Sequence, residues 1–225
     1  MINFQEELEK AKNGDGLAAY LVSECYAHGY FGVEKHGGKA LKWIKKGAKM
    51  PNNALCLFDM AFINRANRKK AKKFFDLSYD KIVAMADGGE RCAYFLLGLY
   101  HSRGFMGNPV DFNKAFELYE KAAMQGFPTA QYNVGYYYYE GKGVQMNLHK
   151  ALEWFDKAIA AGCQESREYR QEVMEDLRAG GGNINQQPQQ SQEIKQLKCT
   201  SCHSPIQIRG GKGFCEYCNS VFALN

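Results

Sequence analysis

Apolar positions along most of the chain recur at three- and four-residue spacing, the period of a helix that turns one face to a core. Ala151, Trp154, Phe155, Ala158 and Ile159 form one such stripe, and Ala115, Leu118, Tyr119 and Ala122 form another. The stripes come in pairs joined by glycine-rich turns such as Gly141-Lys142-Gly143. The pattern therefore predicts a unit of two helices and a turn, used repeatedly.

The repetition is explicit. Ala130, Gly135, Gly141, Asn147, Lys150-Ala151, Trp154-Phe155, Lys157-Ala158 and Gly162 are matched 36 or 37 residues earlier by Ala93, Gly98, Gly104, Asp111, Lys114-Ala115, Leu118-Tyr119, Lys121-Ala122 and Gly126. A further 75 residues back stand Ala18, Ser23, Gly29, Lys39-Ala40, Trp43-Ile44 and Gly47-Ala48. Between them lies a degenerate unit from Ala54 to Gly88-Gly89, with Asp59 in place of the glycine, a shorter turn and a longer second helix around Lys70-Ala71 and Phe74-Phe75. Small residues such as Ala93, Gly98, Ala130 and Gly135 leave room for two helices to approach closely. Gly126 and Gly162 fall where a left-handed C-cap needs no Cβ.

Paired helices that cannot bury both faces alone stack on their neighbours. The expected fold is all-α, a right-handed superhelical solenoid of about four helix pairs (about 15–51, 52–89, 90–126 and 127–163) with contacts between neighbours only, plus a small β module. Phe4, Leu8 and Ala11 predict a capping helix at one end, and Tyr169, Val173 and Leu177 at the other, so that residues 1–179 form one array. Residues 180–197, rich in Gly and Gln, have no apolar periodicity and read as a flexible linker. Residues 198–225 form the second module.

The run from Ala130 to Ala158, A-x-Y-x-x-G-x-x-Y-x-x-G-x-G-V-x-x-N-x-x-K-A-x-x-W-F-x-K-A, closely resembles the Sel1-like repeat, a relative of the tetratricopeptide repeat. The likeness spans roughly residues 15–165. It implies a solenoid whose first helices line a concave groove that holds a protein or peptide, as adaptors in signalling or assembly do. Tetratricopeptide-like geometry aims Tyr132, Tyr136, Tyr139 and Glu140 into that groove, with Phe95, Leu99, Ser102 and Arg103 from the third unit and Tyr20, Glu24 and His28 from the first. Tyrosines beside an arginine suit peptide holding. The same rings could instead pack between repeats, and the sequence leaves both readings open.

Eight cysteines divide into two groups. Cys25, Cys56, Cys92 and Cys163 are scattered singly, whereas Cys199-x-x-Cys202 and Cys215-x-x-Cys218 are separated by twelve residues. Two CxxC turns present four thiolates to one tetrahedral ion, so these four are the expected ligands of a structural zinc in a module resembling a zinc ribbon. Ile206 and Ile208 alternate as a strand, Gly210 to Gly213 make a turn, and Phe214, Tyr217, Val221 and Phe222 supply a little core. Structural zinc contributes roughly 10–16 kcal/mol to such units. Four sulfurs leave no open position for catalysis, and His203 is surplus to the shell. Four thiolates also accept iron, but no other redox feature accompanies them.

The net charge is +5, and its basic excess lies at one end: residues 1–75 carry 14 Lys and Arg against 7 Asp and Glu. Lys42, Lys45, Lys46 and Lys49 occupy one second helix, and Arg65, Arg68, Lys69, Lys70, Lys72 and Lys73 lead into the next. Such density can neutralise phosphates. It is also what the solvated convex face of a solenoid looks like, and a nucleic-acid partner is the less favoured reading. No P-loop, H-E-x-x-H, G-x-S-x-G or dinucleotide fingerprint is present. Cys25 one turn from His28 is the one nucleophile–base pairing, and a buried thiol is the simpler account of it. Single cysteines within the repeats, with no apolar run long enough for a membrane helix and no signal peptide at Met1, point to a cytoplasmic binding protein that is not an enzyme.

Overall fold

The computed structural model describes residues 3–179 and the backbone of residues 207–209, 212–214 and 221–223. The described helices are α1 (Phe4–Lys12), α2 (Gly16–His28), α3 (Gly37–Gly47), α4 (Ala54–Ile63), α5 (Arg68–Asp87), α6 (Arg91–Arg103), α7 (Phe112–Met124), α8 (Pro128–Glu140), α9 (Leu148–Ala160) and α10 (Glu165–Arg178). α2/α3, α4/α5, α6/α7 and α8/α9 are the most intimately packed pairs, α1 lies on α2, and α10 lies on α9 and α8. One contiguous apolar core runs from Ala11 to Val173.

Local chemistry explains the boundaries. The outer helices α5, α7 and α9 begin where Asn67, Asp111 and Asn147 accept hydrogen bonds from the backbone amides of Lys70, Lys114 and Lys150. These side chains satisfy donors that a helix start leaves open, an arrangement typically worth about 1 kcal/mol. The inner helices α2, α6 and α8 end on left-handed Gly29, Gly104 and Gly141. α4 ends instead at Asn64, and only four residues separate it from the 20-residue α5, which is the shortened turn and lengthened second helix expected of the degenerate unit.

Within a pair, the small residue of the inner helix meets a ring of the outer one. A Cβ placed on Gly98 would lie 2.6 Å from the Tyr119 ring, and one on Gly135 would lie 2.8 Å from the Phe155 ring. In the degenerate pair Asp59 stands at this position, and Phe75 stacks instead on Tyr79 and Tyr100, with centroids 4.8 and 5.5 Å away.

Contact between neighbours alone does not describe the array, because its first and last pairs meet. Tyr30, Cys25, Ala158 and Cys163 form a small buried cluster of their own. The Tyr30 and Thr129 hydroxyls are 2.6 Å apart, and Lys35 donates to Glu165 at 2.8 Å.

Three short strands are described in the C-terminal segment, β1 (Gln207–Arg209), β2 (Lys212–Phe214) and β3 (Val221–Ala223), antiparallel in that order. Arg209 pairs with Lys212 and Phe214 with Val221. The residues expected to form the linker, 180–197, and the four clustered cysteines Cys199, Cys202, Cys215 and Cys218 lie outside the described residues.

The ring contact makes a prediction. Gly135→Ala gains helix propensity but drives a methyl into Phe155, and overpacking of this kind costs about 1–3 kcal/mol. The melting temperature should fall by several degrees. Gly37→Ala, whose Cβ meets nothing within 4 Å, should leave it unchanged or raise it.

Candidate functional site

The inner helices α2, α4, α6 and α8 bring charged groups from three pairs into one electrostatic neighbourhood. Glu24 of α2 is half-buried, its side chain 13% exposed. The Thr129 hydroxyl at the start of α8 donates to it at 3.5 Å. Burial pushes the Glu24 carboxyl up to about 8, the Asp59 carboxylate adds to the shift, and the Thr129 hydrogen bond opposes it. Asp59 of α4 is itself raised to about 6 by burial, with the Arg103 guanidinium at the end of α6 pulling it back. Two carboxyls that resist ionisation are thus coupled, Glu24 to Asp59 and Asp59 in turn to Arg103.

A polar seam borders this cluster. His28 lies 3.9 Å from Glu24 and 4.0 Å from Glu165, and its ring stacks on Tyr30 at 5.1 Å. Burial lowers the His28 pKa, Glu165 opposes that shift, and Lys35 reinforces it. Gly162 closes the seam: it has φ +93°, and a Cβ there would lie 3.1 Å from the Phe31 nitrogen. Cys25 is no nucleophile in this setting, since burial and then the Glu24 carboxylate push its thiol up to about 12.

The residues expected in the groove separate into three groups. Tyr20 and Phe95, 1% and 5% exposed, are core residues and offer no surface to a partner. The reason is that an inner helix is packed on several sides. α2 is covered by α1, α3 and α4, and Phe95 is wedged against Phe127 and Tyr119. Tyr132, Tyr136 and Tyr139 are half-buried and engaged by the final helix. Tyr169 of α10 meets the rings of Tyr132 and Tyr136 edge-on at 5.6 and 5.4 Å, and the Tyr139 hydroxyl donates to Asp176 at 2.9 Å. Lys142 sits over the Tyr136 ring at 4.6 Å. Leu99, Glu24 and His28 are half-buried, and Arg103 and Glu140 are exposed.

A family model described as Sel1 repeat matches residues 16–52, 93–127 and 128–163. These three segments are Sel1 repeats. Between the first and second Sel1 matches, the α4/α5 pair supplies the degenerate unit. Among curated proteins, the chain is 38% identical over 79 residues to the chitin synthase regulator SKT5 of Saccharomyces cerevisiae, covering 34% of this chain and 10% of that protein. It is 41% identical over 74 residues to chitin synthase regulatory factor 3 of Schizosaccharomyces pombe, covering 33% and 8%. The chain thus spans about a tenth of the length of these relatives. Among solved structures, the protective antigen c5321 of uropathogenic Escherichia coli has a TM-score of 0.46 at 28% identity, covering 79% of this chain and 37% of that one. A Sel1 repeat protein from Oxalobacter formigenes has a TM-score of 0.37 at 26% identity, covering 75% and 96%.

The basic residues lie away from the inner face of the Sel1 array. Lys42, Lys45, Lys46 and Lys49 on and just beyond α3, and Arg68, Lys69, Lys70, Lys72 and Lys73 on α5, are exposed. Arg65 is half-buried and turns back to donate to the Phe62 carbonyl at 3.3 Å. Among the described residues, no group of three His, Cys, Asp or Glu comes together as a metal site, and no helix is long and apolar enough to cross a membrane. Asp59 was marked in the sequence only as an intruder at a glycine position. Thr129 and Glu165 carried no local signal at all.

The raised carboxyls fix the sign of a pH effect. Both hold protons more tightly in the fold than in the unfolded chain, so the stability tied to their neutral forms is full below pH 4 and is lost as pH rises through about 6 for Asp59 and about 8 for Glu24. The melting temperature of Glu24→Gln should fall less than that of the wild type between about pH 5 and about pH 9, by on the order of 2 °C or more. Parallel curves would mean that Glu24 is fully solvated.

Proposed function

We propose that the protein is a cytoplasmic binding adaptor rather than an enzyme. The inner face of the Sel1 array around Glu24, Asp59, Leu99, Arg103 and Glu140 holds a protein segment, and a zinc ribbon on Cys199, Cys202, Cys215 and Cys218 is a second, tethered contact module. The observation that carries the reading is the array itself, three matched Sel1 repeats with a degenerate pair among them, whose inner helices bring Glu24, Asp59 and Arg103 into one neighbourhood. Sel1 repeats generally serve as protein-interaction scaffolds. The names of the two fungal relatives, both regulators of chitin synthase, support a regulatory role over a catalytic one. A mostly protonated Glu24 beside the Asp59 carboxylate and the Arg103 guanidinium favours a polar partner segment that brings both hydrogen-bond donors and acceptors to this face.

The donor set supports the metal. Four thiolates in paired CxxC turns match a closed tetrahedral zinc shell, which supplies folding free energy to a unit with few apolar side chains. A tether between the two modules would raise the effective concentration of one once the other has bound.

A photo-crosslinking residue placed at Leu99 of the full chain, in extract of its native cells, should yield a discrete crosslinked polypeptide. The same residue at Glu117, on the outer helix α7, should not. Equal labelling from both positions would reject the inner face as the binding surface. The purified chain should contain about one zinc per molecule by elemental analysis, lost when Cys199 and Cys202 are replaced by Ser. A chain that keeps its zinc after those replacements, or binds none, would remove the ribbon from the proposal.

A further inference from the structure

The strongest charge feature of the array lies on its outer side and is unused by the adaptor reading. Between residues 36 and 75 the chain carries eleven lysines and arginines and one acid, Asp59. That acid faces inward with Glu24 and Arg103 and cannot neutralise the outer helices.

Two properties set this surface apart from an ordinary solvated face. The first is its excess of cations over internal counter-ions: α3 carries four lysines and no acid, and α5 six lysines and arginines against Asp76, Asp80 and Asp87. On α3 and α5, among the described residues, the one ion pair is Lys72 with Asp76 at 2.7 Å. Lys39 and Lys46 lie over the rings of Tyr26 and Trp43 at 5.2 and 4.8 Å. The later outer helices α7 and α9, by contrast, each balance two lysines with two acids. The second is where the charge sits. α5 opens with Arg68, Lys69 and Lys70, followed by Lys72 and Lys73, and has no acid in its first turn. Cations at a helix N-terminus oppose the macrodipole. α1 and α10 have Glu6 and Glu7, and Glu165 and Glu168, in their first turns; α7 and α9, like α5, have no acid there, but α5 alone of these carries five cations within its first six residues. The start of α5 therefore concentrates positive charge against its own local preference.

The apolar neighbours identify the kind of anion. Leu77 is 50% exposed, one helical turn from Lys73, Lys81 and Asp80 and next to Asp76, and Leu41 is 37% exposed, one turn from Lys45 with no acid on its helix. Phosphate contacts make no use of exposed leucines, whereas the headgroup boundary of a bilayer accommodates them beside lysines. Nucleic-acid surfaces add aromatic platforms for bases or arginine forks for base edges. Here lysine predominates, and the half-buried Trp43 already has Lys46 over its ring.

We propose that the outer faces of α3 and α5 form a docking surface for an anionic phospholipid membrane. The lysines meet headgroup phosphates and carboxylates, and Leu41 and Leu77 enter the interface without spanning it. This surface is separate from the inner face, so the array could hold a protein partner while lying on a membrane.

The test is vesicle co-sedimentation of the full chain. Binding is expected to vesicles of phosphatidylcholine mixed with phosphatidylserine and not to phosphatidylcholine alone, weakening as salt is raised. Each lysine removed should weaken partitioning roughly five-fold. A Lys42→Glu, Lys45→Glu, Lys69→Glu, Lys73→Glu variant should therefore not sediment with vesicles. The same four positions changed to Gln serve if the reversed variant fails to melt cooperatively. Leu41→Ser with Leu77→Ser should weaken binding and leave its salt dependence intact. No sedimentation with phosphatidylserine vesicles, or sedimentation unchanged by the four substitutions, would overturn the proposal. So would tighter, lysine-dependent binding to duplex DNA or RNA than to the vesicles.

Discussion

The packing of the third and fourth pairs in this array depends on a side chain that is missing. Where Gly98 and Gly135 present only backbone, the rings of Tyr119 and Phe155 come within a distance that no Cβ would permit. That approach sets how closely inner and outer helices pack, and hence how the next pair can stack on them. The degenerate pair departs from this rule and packs differently. Asp59 stands at the glycine position, Phe75 packs on Tyr79 and Tyr100, and a carboxyl is left where it acts on Glu24. The irregularity in packing and the electrostatic character of the inner face have one origin.

The meeting of the first and last pairs is the second constraint. Tyr30 with Thr129, Lys35 with Glu165, and the cluster around Cys25 and Cys163 tie α2 and its following turn to α8, α9 and α10. The exposed Lys35–Glu165 pair contributes little by itself, since such pairs are worth at most about 1 kcal/mol. The buried rings and thiols carry more, because they remove apolar surface from water. The contact also joins the two ends of a fold whose energetics would otherwise be a sum of neighbours. At the far end, α10 engages Tyr132, Tyr136 and Tyr139, so the rings that would extend an open groove are taken up by the chain's own cap.

The sequence by itself determined what short-range chemistry controls. The 36- or 37-residue period located the pairs, and the glycine-rich turns after the inner helices and Gly126 and Gly162 after the outer ones marked where helices end. Each of these is settled within a few residues by a cap, a turn or a missing Cβ. The spacing of Cys199, Cys202, Cys215 and Cys218 is a signal of the same local kind. Only the tertiary structure decided which inner-helix side chains stay accessible and which are buried. Tyr20 and Phe95 sit in the right phase for a groove, yet neighbouring helices bury them, because an inner helix of a stacked array is covered on several sides and its polar face is narrow. Glu24 and Thr129 are 105 residues apart, and Tyr30 and Thr129 are 99 apart. No local pattern encodes such meetings, because they follow from the summed geometry of four pairs, and with them come the shifted carboxyls of the inner face.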